Sequence, residues 1–446
     1  MTIYNGGWFE NRREIASKIN RIGVDGGFLG DSFVIAGYDG SDLEKGGFLS
    51  EAYSVASSLT PNGEPLSATN RAVVILPPGV YDMGDETFNV DTNFVDIHAM
   101  SPETPQLPAD EQKPTSTVIK STADYVFTQT ATDTRWVGFT LRNEARKGTF
   151  YIAQNGCDDC YYEKMYFSTD ADLAEIGFFP QHFENVEGTW RDCICAHAWA
   201  WRIAIDTTTS FFTAKMYNCH AQYWSFGGDY VGGQADNHKF IGAYLEGCTA
   251  GDYSFSGCTA FSAPIDEDTV FVDCEAGINS FAIGANNAGT LIRCRGGAQC
   301  AGATIGAAST KAEFSGYAED CVFGPGSLGG NGDNTNQGKL TGTLRNCVVE
   351  GSLAAHSLEG ATIDGGKFTM DAASANSDGF VLADGNSVIT GATILVNDAG
   401  TGVPINAAAA QNVVAVNCTF NNGDNDADGI GANVTNTATT PSNGVY

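Results

Sequence analysis

A short phrase recurs along the chain: alternating apolar residues, one polar residue or glycine, then cysteine. It closes at Cys193 (WRDC), Cys219 (MYNC), Cys248 (LEGC), Cys274 (FVDC), Cys294 (LIRC), Cys321 (AEDC), Cys347 (LRNC) and Cys418 (AVNC). Gaps of 26 residues separate Cys193 from Cys219, Cys248 from Cys274 and Cys321 from Cys347, and the other gaps vary as loops would make them. A unit of period two, bounded by Gly- and Asn-rich turns, has no helical face to bury. Returning every few tens of residues, it reads as one coil of a solenoid. The phrase therefore predicts an all-β fold, a parallel β-helix.

The cysteines follow from that geometry. On an inward strand position cysteine is a small buried hydrophobe, stacked on its counterpart one coil away at about 4.8 Å. The chain has 13 cysteines, an odd number, and disulfides are not expected. Cys157 and Cys160 form a CxxC, but no second CxxC with zinc spacing accompanies them. Reduced thiols suit folding in a cytoplasm. The opening MTIYNGGWFENRRE lacks a basic stretch followed by an apolar run, and no segment of about 18 apolar residues exists. Neither export by a leader nor membrane insertion is expected. Lys plus Arg total 23 against 53 Asp plus Glu, a formal net charge of −30 at pH 7. Such a field repels phosphate backbones and argues against nucleic acid as a partner.

Before the repeats, Asn11 and Glu14 resemble a capping box, with Ile15, Ile19 and Ile22 on one helical face. A second helix is predicted to begin after Ser41 or Asp42, with Phe48, Ala52, Tyr53, Ala56 and Leu59 on one side, ending at Thr60–Gly63. Then comes AVVILPPGVYDMG, Ala72 to Gly84: strand, Pro-Pro-Gly corner, strand. An amphipathic helix followed by VVILPPGVY resembles the entry into the pectin-lyase-like right-handed parallel β-helices, over about residues 40–420, and most of all their phage tailspike and fibre members. That likeness implies a right-handed parallel β-helix solenoid whose helix covers the first open sheet edge. The expected divisions are 1–45, an attachment and capping segment; 46–400, the β-helix; and 401–446, a last coil and tail. Four prolines mark Ser101–Thr115 as a surface excursion, and a Gly- and Asn-rich composition marks Gly324–Gly338 as another.

Trp190, Trp199, Trp201 and Trp224 crowd between Phe178 and Tyr244 with four of the six histidines. CICAHAWAWRIAI alternates from Cys193 to Ile205. Two assignments conflict there: small residues inward would place His197, Trp199 and Trp201 outward, yet would also turn Cys193 and Cys195 out of the ladder. An outward stripe of His197, Trp199, Trp201, Tyr223 and Trp224 suits stacking on sugar rings, a subunit interface, or packing under a loop. For catalysis, Glu184, Asp206, Asp229 and Asp236 are the acids in this zone. A glycosidase needs two carboxyls, roughly 5–5.5 Å or 6.5–9.5 Å apart. A lyase needs a base, often with Ca²⁺. Neither the paired-aspartate and Gly-His-Gly motifs of polygalacturonases nor the arginine pattern of pectate lyases is present. DNDADG places Asp424, Asp426 and Asp428 at the first alternate positions of a Ca²⁺ loop, but Thr435 stands where the bidentate glutamate belongs. No cofactor is required, and Ca²⁺ is the one candidate ion.

These features converge on a virion protein, a tailspike or tail-fibre subunit that binds a host surface glycan, with glycan cleavage left open. It would form a homotrimer with virion tail or capsid proteins as neighbours and a cell-surface polysaccharide as ligand. Its place would be the virion, assembled in host cytoplasm, or alternatively outside the cell. The competing expectations are a polysaccharide lyase or glycoside hydrolase, and a non-catalytic adhesin or capsid-decorating protein.

Overall fold

The recurring phrase is a corner of the coil. In the computed structural model, the residue before each of these cysteines lies in the left-handed backbone region. Its φ is +53° at Asp192, +51° at Asn218, +62° at Gly247, +52° at Asp273, +53° at Asp320, +49° at Asn346 and +53° at Asn417. Gly, Asn and Asp enter that region most readily, so the polar residue is there for its backbone. Arg293, at +50°, is the exception. Its guanidinium makes a bidentate pair with Asp273 one coil back, both contacts at 2.7 Å.

The structure describes residues 28–29, 31–105, 115–145, 148–152, 159–169, 181–183, 186–195, 201–203, 211–221, 225–228, 239–252, 254–255, 265–278, 280–281, 286–298, 300–301, 313–324, 327–328, 339–352, 356–371, 380–384, 386–397, 405–407, 412–421 and 434–437. It is a mostly-β parallel solenoid with an N-terminal helix, and the chain divides into two compact units, Met1–His197 and Ala198–Tyr446.

In the first unit, strands Phe33–Ile35, Ala72–Leu76, Val95–Ala99, Arg135–Val137, Tyr161–Glu163 and Thr189–Arg191 pair in parallel, one per coil. The helix Asp42–Ser57 starts at Ser41, whose side chain and that of Glu44 reciprocally cap the first turn. Leu49, Ala52, Tyr53 and Ala56 are its buried face. A Cβ at Gly46 would stand 1.9 Å from the Asp82 carbonyl oxygen, so only glycine lets the helix lie this close on strand Gly79–Asp82. The Tyr53 ring meets Phe88 edge-on at 5.2 Å, and its hydroxyl accepts the Asp91 and Thr92 N–H groups at 3.0 Å.

The interior of this unit is aromatic. Phe88, Phe127, Trp136, Tyr162 and Trp190 follow one another at 4.7, 4.9, 5.3 and 3.8 Å between ring centroids. One polar group stands among them. Gln129 donates to Ala131 O at 2.9 Å and Thr134 Oγ1 at 3.2 Å, and it accepts from Tyr162 at 3.0 Å. A satisfied amide at that depth costs little and pins the surrounding side chains.

In the second unit the long sheet runs Lys215–Tyr217, Tyr244–Glu246, Val270–Val272, Thr290–Ile292, Tyr317–Glu319, Thr343–Arg345, Thr362–Asp364, Asn386–Thr390, Asn412–Val416 and Val434–Thr437, all parallel and in register. The middle residue of each three-residue strand points in, as Leu245, Phe271, Leu291, Ala318, Leu344 and Ile363 do. All eleven described cysteines are buried thiols outside any disulfide. The corner thiols are donors. Cys274 Sγ reaches Leu245 O at 3.4 Å and Val272 O at 3.5 Å; Cys321 Sγ reaches Leu291 O at 3.4 Å and Glu319 O at 3.3 Å; Cys418 repeats the pattern. Each of these three thiols thus ties its own strand to a preceding coil.

A second corner carries bulky residues in the left-handed region: Trp201 (+46°), Phe226 (+55°), Phe255 (+55°), Phe281 (+57°), Ala301 (+57°) and Leu328 (+55°). Such a conformation costs on the order of 1–3 kcal/mol per bulky residue. Compensation is visible in the stack. Trp201, Phe226, Phe255 and Phe281 lie face to face at 4.9 Å with interplanar angles of 10–12°, a separation close to the strand spacing of about 4.8 Å. Beneath them, Ser225 N–H donates to Ser254 Oγ and Ser254 N–H to Ser280 Oγ, at 3.2 and 3.1 Å.

Residue 45 falls inside the helix, and strand Phe33–Ile35 before it already pairs with Val73–Ile75. Segment 1–45 is therefore partly built into the sheet, because the helix needs a coil beneath it to cover. Beyond residue 400, strands Ile405–Ala407, Asn412–Val416, Thr419–Asn421 and Val434–Thr437 pair in register with the strands before them. The helix read around Ile15 lies outside the described residues, as do 106–114 of the first excursion and most of the second.

Candidate functional site

Most residues singled out from sequence lie outside the described set: Glu184, Asp206, Asp229, Asp236, His197, Trp199, Tyr223, Trp224, Asp424, Asp426 and Asp428. Trp201 is described, and its outward assignment is corrected. It is fully buried and stacked on Phe226, so no ligand reaches its ring. The described strand here is Ile194–Cys195, and Trp201 itself stands at a left-handed corner with φ +46°. Cys195 is in register with Phe167 and Ile194 with Tyr166, and Cys193, Ile194 and Cys195 are all buried. Counting by two beyond so short a strand does not survive the next corner. Cys160 of the CxxC is also buried, with Gln129 Nε2 3.1 Å and Thr134 Oγ1 3.5 Å from its sulfur. Burial pushes its thiol pKa up, the opposite of what a metal ligand needs. Among the described residues, no group of three or more His, Cys, Asp or Glu gathers as a metal site.

Chemistry instead collects on the outward positions of the sheet strands within each unit. The three-residue strands each offer two outward positions, and parallel register lines these up in two rows. In the first unit one row holds Arg135, Tyr161 and Thr189, and the other His98, Val137, Glu163 and Arg191. Tyr161 donates its hydroxyl to Glu163 at 3.0 Å, and Lys164 Nζ is 3.6 Å from the same carboxylate. Arg71 anchors one edge. It takes Asp96 at 2.5 and 2.8 Å, Asp133 Oδ1 at 2.7 Å and the Asp133 carbonyl at 2.7 Å, joining three successive coils. His98 has its Nε2 buried without a partner, and burial lowers its pKa, which keeps the ring neutral.

In the second unit the same pair returns twice. Tyr244 donates to Glu246 at 3.0 Å, and Tyr317 to Glu319 at 2.9 Å. Tyr217, one strand before Tyr244, brings its ring centroid within 5.7 Å of the Tyr244 ring. Arg345 lies 3.5 Å from Glu319 and 3.9 Å from Asp364. Desolvation and then the bonded carboxylate raise the pKa of Tyr161, Tyr244 and Tyr317, so each phenol stays protonated as a donor. The carboxylates that come close here are bridged by arginine: Asp96 and Asp133 by Arg71, Glu319 and Asp364 by Arg345. That arrangement differs from the two open carboxyls of a glycosidase.

The Tyr-x-Glu rows escaped the sequence reading although the signal was adjacent. YLEGC and YAEDC are the recurring phrase itself, with tyrosine at its head, and YYEKM repeats it without the cysteine.

No family model matches the chain, and no curated protein matches it. One solved structure is similar. It is the A-module of the mannuronan C-5 epimerase AlgE6 from Azotobacter vinelandii, 13% identical, covering 89% of this chain and 94% of that module, with a TM-score of 0.30. At this level of similarity nothing about activity transfers to the chain.

Proposed function

We propose that this protein is a glycan-binding β-solenoid that holds its ligand on the outward sheet rows within a unit. The reading rests on one observation, the return of Tyr-x-Glu at Tyr161, Tyr244 and Tyr317, which sets a half-buried ring beside a hydrogen-bonding carboxylate each time. A sugar offers an apolar ring face and a rim of hydroxyls. Tyrosine matches the face and carboxylate the rim. We further propose the setting, a homotrimeric tailspike or tail-fibre subunit by which a virion holds a host surface polysaccharide. Buried thiols outside any disulfide, among the described residues, support it, since a chain folding in host cytoplasm keeps them reduced.

A second reading is favoured by the first unit alone. There His98, Arg135, Tyr161, Glu163 and Arg191 bring acid–base side chains to one face, as a polysaccharide lyase or hydrolase requires. Incubation with neutral, acidic and amino-sugar polysaccharides separates the two. Retention without product supports the binder. New reducing ends, or ultraviolet absorbance from unsaturated ends, establish the enzyme, and absence of any retention removes the glycan reading. Light scattering tests the assembly, with a mass three times that of the chain expected and a monomer counting against the spike.

A further inference from the structure

We propose that Tyr217, Tyr244 and Glu246 form a cradle for an ammonium group, so that the glycan bound by this face carries a free amine, as an amino sugar does. The proposal rests on the glycan-binding reading of the face and adds the chemical class of the ligand.

The geometry is specific to this coil. Tyr217 and Glu246 are in register on adjacent parallel strands, and Tyr244 shares Glu246's strand two residues away on the same face. Two phenol rings, 5.7 Å apart and inclined at 43°, therefore flank one carboxylate. The Tyr244 hydroxyl donates to Glu246 Oε2 at 3.0 Å, which fixes the carboxylate on the half-buried Glu246. Aromatic faces beside a fixed anion are how proteins hold substituted ammonium groups, because the ring quadrupole and the charge attract the same cation. The other two Tyr-x-Glu pairs are already served, Glu163 by Lys164 at 3.6 Å and Glu319 by Arg345 at 3.5 Å. Among the described residues, no cation pairs with Glu246. The nearest candidate, Lys215, is in register with Tyr244 and exposed, and makes no ion pair with Glu246. A chain of net charge −30 adds a general preference for cationic over acidic polymers.

Two probes test this with the full-length chain. Tetramethylammonium reports on the cradle alone, through shifts of the Tyr217 and Tyr244 ring resonances. Glucosamine oligomers, compared with their N-acetylated counterparts and with an oligouronate, report on the ligand class. Tetramethylammonium shifts are expected in the wild type and lost in Glu246→Gln. The free-amine oligomer is expected to bind about 10-fold more tightly than the acetylated one at low salt, the order of a desolvated cation–π contact. Lys215→Met, which removes a competing cation, should tighten amine binding. Equal binding of amine and acetyl forms, unchanged in Glu246→Gln, overturns the cradle and leaves the glycan reading standing. Tetramethylammonium shifts with no oligosaccharide bound keep the cation site but overturn the amino-sugar assignment and the glycan reading together. Silence toward tetramethylammonium, or preference for the oligouronate, overturns the proposal outright.

Discussion

The two units close the same kind of coil by different means. The first fills its interior with large rings, Phe127, Trp136, Tyr162 and Trp190, around the satisfied Gln129 amide, and ties coils from outside with the Arg71–Asp96–Asp133 cluster. Its staples are individual and unrepeated. The second also buries large rings, Phe212, Phe240 and Phe271 among them, but it repeats two corners, a thiol donating to two carbonyls and a stack of aromatic residues in left-handed backbone. There each coil is stabilised by its likeness to the next. A unique network concentrates stability in few residues, whereas a repeated device spreads it over many.

Substitutions can break that contrast. The largest effect is expected at Trp136, fully buried among Phe127, Phe139 and Tyr162. Trp136→Ala should lower unfolding free energy by about 3–5 kcal/mol in a denaturant titration. Asp96→Asn should cost about 2–3 kcal/mol, because it leaves Arg71, whose side chain is 10% exposed, short of a charged partner. A loss no larger than that of an ordinary surface substitution would mean the cluster is not a staple. In the second unit, Phe255→Gly removes a stacked ring but also relieves a φ of +55°. The two effects oppose, and a net loss of about 2 kcal/mol is expected, less than at Trp136. Asp320→Gly should be neutral or stabilise by up to about 1 kcal/mol, since φ there is +53°, while Asp320→Val should destabilise.

The smallest effect is in pH. Burial holds the His98 pKa below the usual 6.5, so as pH falls through 6.5 the unfolded chain takes up a proton before the folded one does. Stability from the neutral ring is complete above pH 6.5 and is lost below it, toward the folded pKa. His98→Gln should flatten that part of the stability profile, and a profile identical to wild type would exclude His98 as its source.

Which parts were readable depended on how local the determining interaction is. The recurring XC phrase announced coils because a left-handed corner and an inward thiol are chosen by neighbours in sequence. The helix start at Ser41 was equally legible, since Ser41 and Glu44 satisfy each other. The second corner was missed. Ser254-Phe255 and Ser280-Phe281 look like any polar–aromatic dipeptide until the coils are stacked and the rings meet at 4.9 Å. Trp201 failed for the same reason, its direction being set by a corner rather than by strand alternation.

By itself the sequence determined that the chain winds, where many of its corners fall, and that its thiols go inward, because backbone preference and period-two burial are properties of a few adjacent residues. Tertiary structure alone decided which outward side chains become neighbours. Tyr217 and Glu246 are 29 residues apart in the chain yet side by side on the sheet, and that closeness depends on intervening loop lengths and strand register, which no local pattern encodes.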